Sequence, residues 1–412
     1  MKNSKKDNNI LEYFDYLNLN FHNGIWLTLL NLRKKMIAEN LSLADVSKAV
    51  ESGEIQGINK YSLSNLRSLS IYYALFSVVA FKEQYEALLD LDMISKDEEQ
   101  QKFLSKFPNM SGCLELLSFL RNNTSHAGLM ISTFGDTILI KDMQIHLNDL
   151  KDYLDSVMAT LLKSFKAYKH TMAPEMTRKN LHFVPFSAQK TLFESLIKPE
   201  DGEEFPFTKI DSKNNKFMDK LLIIMTSEKL NEIMLTNPTM KWSEIKKEIL
   251  GFIGQYKGYP NFNEIINIFK SDKQIIDIDA ILYAQFVLSS KLYDLEYDYN
   301  GKIENISSYS DINQTIDYLR NSIIHGMFEL EDSGEILCSG LNSQGYSKLK
   351  DVRKLRRKLN EKDLQIILRN NPIFADENVE DKIAVSSDEL TYICKNIARI
   401  YENERDYPKL LE

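Results

Sequence analysis

Two histidines in this chain each stand five residues after an arginine, in stretches that read almost alike: "LRNNTSHAG" over 120–128 and "LRNSIIHG" over 319–326. Arg121 and Arg320 are 199 positions apart; each is followed by an asparagine, Asn122 or Asn321, and then by His126 or His325. Imidazole changes charge near neutral pH, so two of them can remove one proton and supply another within a single reaction. Guanidinium stays charged and offers several donors in a planar fork, which suits negative charge developing on a substrate oxygen.

Chance and capping are the plain alternatives. With six His and eleven Arg in the chain, one Arg five residues before some His arises with odds of roughly one in six. A His in the last turn of a helix, followed by a capping Gly, is stabilised by the helix dipole and needs no catalytic role. The Arg then pairs with an acid such as Glu115 or Asp317. That account covers one copy well. Duplicated capping does not require Arg and Asn to recur, so it covers two copies poorly.

The elements that must position these residues are helices. Apolar residues recur at three- and four-residue steps over 62–92, 111–125, 147–169, 216–234, 262–270, 277–293 and 311–324. Ser111 and Asp311 are good N-caps for the two motif helices. With Arg at zero on a helical wheel, Leu117, Leu120 and Thr124 fall between about −100° and −40°, as do Ile316, Leu319 and Ile323. That arc faces the core. Asn and His lie at about +100° and +140°, so each helix presents Arg, Asn and His along one polar flank. Downstream, "FGDTILI" (134–140) matches "SGEILCS" (333–339), with Gly135 against Gly334 and Asp136 against Glu335. Gly-Asp or Gly-Glu between β-prone runs is a hairpin turn signal.

The expected fold is therefore all-α, mainly helical with small β-hairpins. A duplicated helical unit is the simplest account of the repeat. Four of the nine prolines (Pro174, Pro185, Pro199, Pro206) fall between 172 and 212, and the expected division is a domain over 1–185, a linker over 186–212 and a domain over 213–412.

Composition narrows the class. The 412 residues are 43% hydrophobic and 27% charged, ordinary globular chemistry. The polar "MKNSKKDNN" start has no apolar run behind it, so no secretory signal is expected there, and "YYALFSVVAF" (72–81) is too short to cross a bilayer. Three scattered cysteines fit a reducing cytosol, so the expected location is cytoplasmic with no membrane partner. The net charge of −8 argues against coating nucleic acid with the whole surface but permits a local basic groove. "KLKDVRKLRRK" (348–358) has seven basic residues against one acid, which makes Arg353, Lys354, Arg356 and Arg357 candidates for RNA contact; solvated helix faces are the plainer account. A second stretch, 163–190, has six basic residues opposed only by Glu175. "EYDYNGKIE" (296–304) lacks the bidentate glutamate of a calcium loop and reads as a turn. His22, His146, His170 and His182 are isolated, so no metal site or cofactor is expected.

Arg-Asn-x-x-x-His near a helix end, in a small helical unit with a hairpin after it, resembles the HEPN ribonuclease superfamily. The likeness rests on the two motifs and their helical setting. HEPN domains typically pair so that two Arg/His sets form one composite site. The resemblance implies two tandem HEPN-like domains forming an intramolecular pseudo-dimer, with Arg121, His126, Arg320 and His325 catalytic and Asn122 and Asn321 supporting. It also implies metal-independent endonucleolytic cutting of single-stranded RNA with the ribose 2′-hydroxyl as nucleophile, leaving a 2′,3′-cyclic phosphate. Abortive-infection and toxin-like proteins of bacterial antiphage defence are similar, and so are type VI CRISPR effectors, which carry two such motifs but are usually much longer. A compact RNA-guided effector is thus an alternative, with a guide RNA, a phage-derived trigger or a neutralising partner as further expected partners. A non-catalytic helical module that binds RNA or protein is the reading from another class.

Overall fold

Every residue of "IYYALFSVVAF" (71–81) is buried. A helix apolar all round belongs inside a protein, and this one is the middle of α4 (Ser70–Asp90). A second such helix, α10 (Asp272–Ser289), is buried without a break from Asp277 to Leu288. The computed structural model describes residues 3–90, 104, 110–132, 135–140, 143–171, 216–256, 262–293, 297–303, 312–324, 328–331, 334–338 and 383–404. The basic run 348–358 and the expected linker 186–212 lie outside them.

The rest of the first half surrounds α4. A long α1 (Asn3–Glu39) leads to the short helices α2 (Leu43–Glu51) and α3 (Lys60–Ser64), and after α4 come α5 (Cys113–Ser125), strands β1 (Met130–Ile131), β2 (Thr137–Ile140) and β3 (Met143–His146), and α6 (Leu147–Thr171). The second half runs in the same order: α7 (Lys216–Thr236), α8 (Trp242–Gly254), α9 (Phe262–Lys270), α10, α11 (Ile312–Ile324), strands β4 (Phe328–Leu330), β5 (Glu335–Cys338) and β6 (Ile383–Ser386), and α12 (Ser387–Glu404). The architecture is mostly helical, with two small antiparallel three-stranded sheets among the described residues, in the orders β1-β2-β3 and β4-β5-β6. No helix among the described residues is long and apolar enough to cross a membrane.

The halves interlock. Helix α4 packs on α5 and α6 of its own half and on α7 of the other; α10 packs on α11 and α12 and, reciprocally, on α1. Ser42 and Lys241, corresponding residues just before α2 and α8, form an antiparallel bridge with each other. Trp242 donates to the Leu41 carbonyl beside it (3.2 Å) and Ala44 to that of Pro238 (2.7 Å). Deeper in, Arg33 of α1 donates to Asp279 of α10 at 2.6 Å, both side chains fully buried. Burial, opposed by the guanidinium, raises the Asp279 carboxyl to about 6. One continuous apolar core takes side chains from both halves.

Local chemistry moved several expected boundaries. Residues 62–92, expected as one helix, divide at Asn65: α3 ends there and a 3₁₀ turn, Leu66–Leu69, precedes α4. The Asn65 side-chain amide donates to the Tyr61 carbonyl (2.7 Å), competing with helix continuation. Gly112, not Ser111, caps α5; Ser111 instead donates to the Glu115 carboxylate from backbone N (2.7 Å) and hydroxyl (2.5 Å). The glycine turns occur as expected, with φ of +66° at Gly135 and +84° at Gly334. Past them the repeat slips by one, since Thr137 pairs with His146 where Glu335 pairs with Ser386. Glu335 therefore corresponds to Thr137 rather than to Asp136.

Candidate active site at the two motif helices

Both motif helices bury the arc the wheel assigned. Leu117, Leu120 and Thr124 on α5, and Ile316, Leu319 and Ile323 on α11, all face the interior. The arginines follow them inward, with exposures of 7% for Arg121 and 9% for Arg320. This departs from the expected polar flank, and the reason is tertiary: neighbouring helices cover the edge of the arc where each arginine stands. Asn122 and His126 are exposed, whereas Asn321 is buried.

The arginine–asparagine pair has the same local geometry in both copies. Arg121 Nη1 donates to Asn122 Oδ1 at 3.3 Å, and Arg320 Nη1 donates to Asn321 Oδ1 at 3.1 Å. A neighbouring amide oxygen thus occupies one arm of each fork and orients the other.

The second fork crosses to the first motif. Arg320 Nη2 donates to the Ser125 carbonyl at 3.1 Å and lies 3.3 Å from His126 Nδ1. The guanidinium sits over the Tyr293 ring, 5.6 Å from its centroid. Tyr293 stacks on Tyr299, centroids 6.5 Å apart and planes 4° from parallel. Burial, then the Asp317 charge, raises the Tyr293 hydroxyl, with Arg320 opposing, so this ring is a neutral platform. Two side chains 194 residues apart, one from each motif, therefore touch.

The end of α5 is bent to meet that contact. His126 is its C-cap, and Ala127 takes a left-handed φ of +53°, conformational work that Gly usually does. The Gly128 N–H closes on the Asn123 carbonyl (2.9 Å), while the Ala127 N–H donates to the Ser289 carbonyl at the end of α10 (3.1 Å). The first motif is thereby tied to the second half by backbone as well as side chain. A cleft beside it is lined by Asp15, Asn18, Thr124, Ala127, Ser289 and Lys291.

At the second motif, His325 lies outside the described residues, as do Arg353, Lys354, Arg356 and Arg357. The helix that leads to His325 is held from below. Lys220 of α7, buried, donates its ammonium to the Ile323 (3.2 Å) and Ile324 (3.4 Å) carbonyls. These are among the last carbonyls of α11, which attract a cation. Its ammonium also lies over the Phe328 ring, 5.9 Å from the centroid.

Lys220, Tyr293 and Ser289 carry no motif signal. A lysine within an apolar helical run, "FMDKLLIIM", was the one hint of an inward-facing charge. His22, expected as an isolated structural or surface residue, is buried with Nε2 3.4 Å from the Ser132 carbonyl; desolvation lowers it to about 4, so it is neutral at pH 7. His146 is exposed and lies 3.3 Å from the Thr137 hydroxyl. Comparison of the chain with family models, with curated proteins and with solved structures finds no match.

Proposed function

We propose that this chain is a metal-independent endoribonuclease of HEPN type, cutting single-stranded RNA at one composite site built from Arg121, His126, Arg320 and His325. The observation that carries the reading is the reach of Arg320 across to His126 and the Ser125 carbonyl. A repeated motif kept only for local capping has no need to meet its other copy. The reciprocal packing of α4 on α7 and α10 on α1 supports an intramolecular pair of HEPN-like halves doing the work that two chains do elsewhere in that superfamily.

In this reading the 2′-oxygen attacks the adjacent phosphorus, loses its proton to a base, and the departing 5′-oxygen takes up a proton. Positioned proton transfer supplies roughly two to four decades of rate. The guanidinium groups face the charge on the phosphorane, where losing one donor costs about 2.7–4 kcal/mol. Asn122 and Asn321 hold the forks. The setting proposed is bacterial antiphage defence, abortive-infection or toxin-like, with activity released by a trigger or by loss of a neutralising partner.

The test is cleavage of single-stranded RNA by the purified chain in EDTA, with ends analysed for 2′,3′-cyclic phosphate and 5′-hydroxyl. His126→Ala or His325→Ala alone should nearly abolish cutting. Full activity in each single variant sinks the composite site. Co-purification of a discrete small RNA moves the assignment to a compact guided effector. The burial of both arginines favours one further reading, a non-catalytic helical module in which they staple helix ends. RNA binding without cleavage, unchanged by His126→Ala, selects it.

A further inference from the structure

Arginine has hydrogen-bond donors and no acceptor. The Arg320 Nη2–H directed at His126 Nδ1 over 3.3 Å therefore needs a lone pair on that nitrogen. The guanidinium is not free to follow the ring. Its Nη2 also donates to the Ser125 carbonyl (3.1 Å), its Nη1 donates to Asn321 (3.1 Å), and its face rests on Tyr293. With Nδ1 holding a lone pair, a neutral imidazole carries its one proton on Nε2. His126 is exposed, and Nε2 is on the side of the ring away from Arg320.

This inverts the usual setting of a histidine base. There the far nitrogen donates its N–H to a carbonyl or carboxylate, which leaves the lone pair on the working nitrogen. Here the far nitrogen accepts, so the working nitrogen is a donor. We propose that Arg320 fixes His126 as the Nε2–H tautomer, making His126 the donor to a phosphoryl oxygen and leaving the 2′ proton to a different base, for which the second motif offers His325. The proposal rests on the nuclease reading and breaks the symmetry that the repeated motif suggests.

The balance of the step is simple. The 2′-oxygen loses its proton to the base, the O2′–P bond forms, and the P–O5′ bond breaks. The 5′-oxygen then takes that proton back from the conjugate acid of the base. His126 gains and loses no proton; its Nε2–H steadies the charge on the phosphorane. Arg320 is then a positioning residue for the imidazole in addition to any contact with phosphate.

The tautomer is read directly from histidine-labelled full-length protein by ¹⁵N–¹H correlation of the ring nitrogens, at a pH where the ring is neutral. The expected spectrum has the His126 proton on Nε2 alone, with an Nδ1–H population appearing beside it in Arg320→Ala. A proton on Nδ1 overturns the proposal. Activity gives the second arm, because glutamine keeps an N–H donor near the position of Nε2 but cannot shuttle a proton. His126→Gln should cut RNA at least about tenfold faster than His126→Ala, part of the roughly hundred- to thousandfold that one well-placed donor is worth, whereas His325→Gln should be no better than His325→Ala. Equal inertness of His126→Gln and His126→Ala overturns the role. The ring spectra decide the tautomer whether or not the wild type cuts RNA, so failure of the nuclease reading is told apart from failure of this one.

Discussion

At the end of the first motif helix His126 is exposed, and Ala127 is bent left-handed to hydrogen-bond the end of α10. At the second motif helix Arg320 is covered, laid on Tyr293, and the helix end is fastened from beneath by Lys220. The two helix ends are fastened differently. In the second motif Gly326 stands where the first has Ala127. The two copies of the motif thus stand on different supports, and each support can be altered separately.

The largest expected effect is at the seam. Arg33 and Asp279 join α1 to α10 with both side chains fully buried. Asp279→Asn or Arg33→Met alone leaves a buried charge without its partner and should lower stability by about 3–5 kcal/mol in urea unfolding. The double variant Arg33→Met/Asp279→Leu should recover most of that loss. Single variants within about 1 kcal/mol of wild type would show that the ion pair does not couple the halves.

Next comes His22, whose folded pKa of about 4 lies below its ordinary value of 6.5. Its contribution is complete above pH 6.5 and is lost as pH falls to about 4, because the unfolded state takes up the proton first. The full loss is about 3 kcal/mol at 1.36 kcal/mol per unit. Asp279 acts oppositely: its raised carboxyl favours the folded state as pH falls from about 6. The difference between the pH–stability curves of wild type and His22→Leu isolates the histidine. A difference that does not change between pH 7 and 4 removes His22 as the acid-sensitive group.

Lys220→Met should lower stability by about 2 kcal/mol, the scale of charge-assisted hydrogen bonds lost from buried carbonyls. Calorimetric unfolding reads it, and a loss below about 0.5 kcal/mol would show that the ammonium does not hold the helix end. The smallest effect is Ala127→Gly, which installs the residue of the second motif. Relief of the left-handed strain slightly exceeds the extra freedom of glycine when unfolded, for a gain of about 0.5 kcal/mol. A loss of stability there would mean that Ala127 is not strained.

Much of this was legible in the chain. Leu117, Leu120 and Thr124 announce one buried face and Ile316, Leu319 and Ile323 another, because helical periodicity is a local property. The glycine turns before β2 and β5 were legible for the same reason, since a positive φ is a demand on a single residue. At Gly135 a Cβ would also lie 2.3 Å from the Ser68 carbonyl oxygen, and that close approach left no trace in sequence. The 37-residue α1, with α2, α8 and α12, was not singled out, although α8 buries Ile245, Ile249 and Ile253 and α12 buries Leu390, Ile393, Ile397 and Tyr401 at regular helical steps. Asn65 and Ser111 shifted boundaries through side-chain hydrogen bonds that compete with the helix.

By itself the sequence determined that a mainly helical chain carries the same arginine, asparagine and histidine at two helix ends. Spacing along a helix fixes which residues share a face, and no distant partner is needed for that. Only the tertiary structure decided that Arg320 lies under cover and reaches His126, that Lys220 holds the second helix end, and that Arg33 meets Asp279. Those contacts join residues 103 to 246 positions apart. They are set by how α1, α7 and α10 pack, which the period of any one helix does not encode.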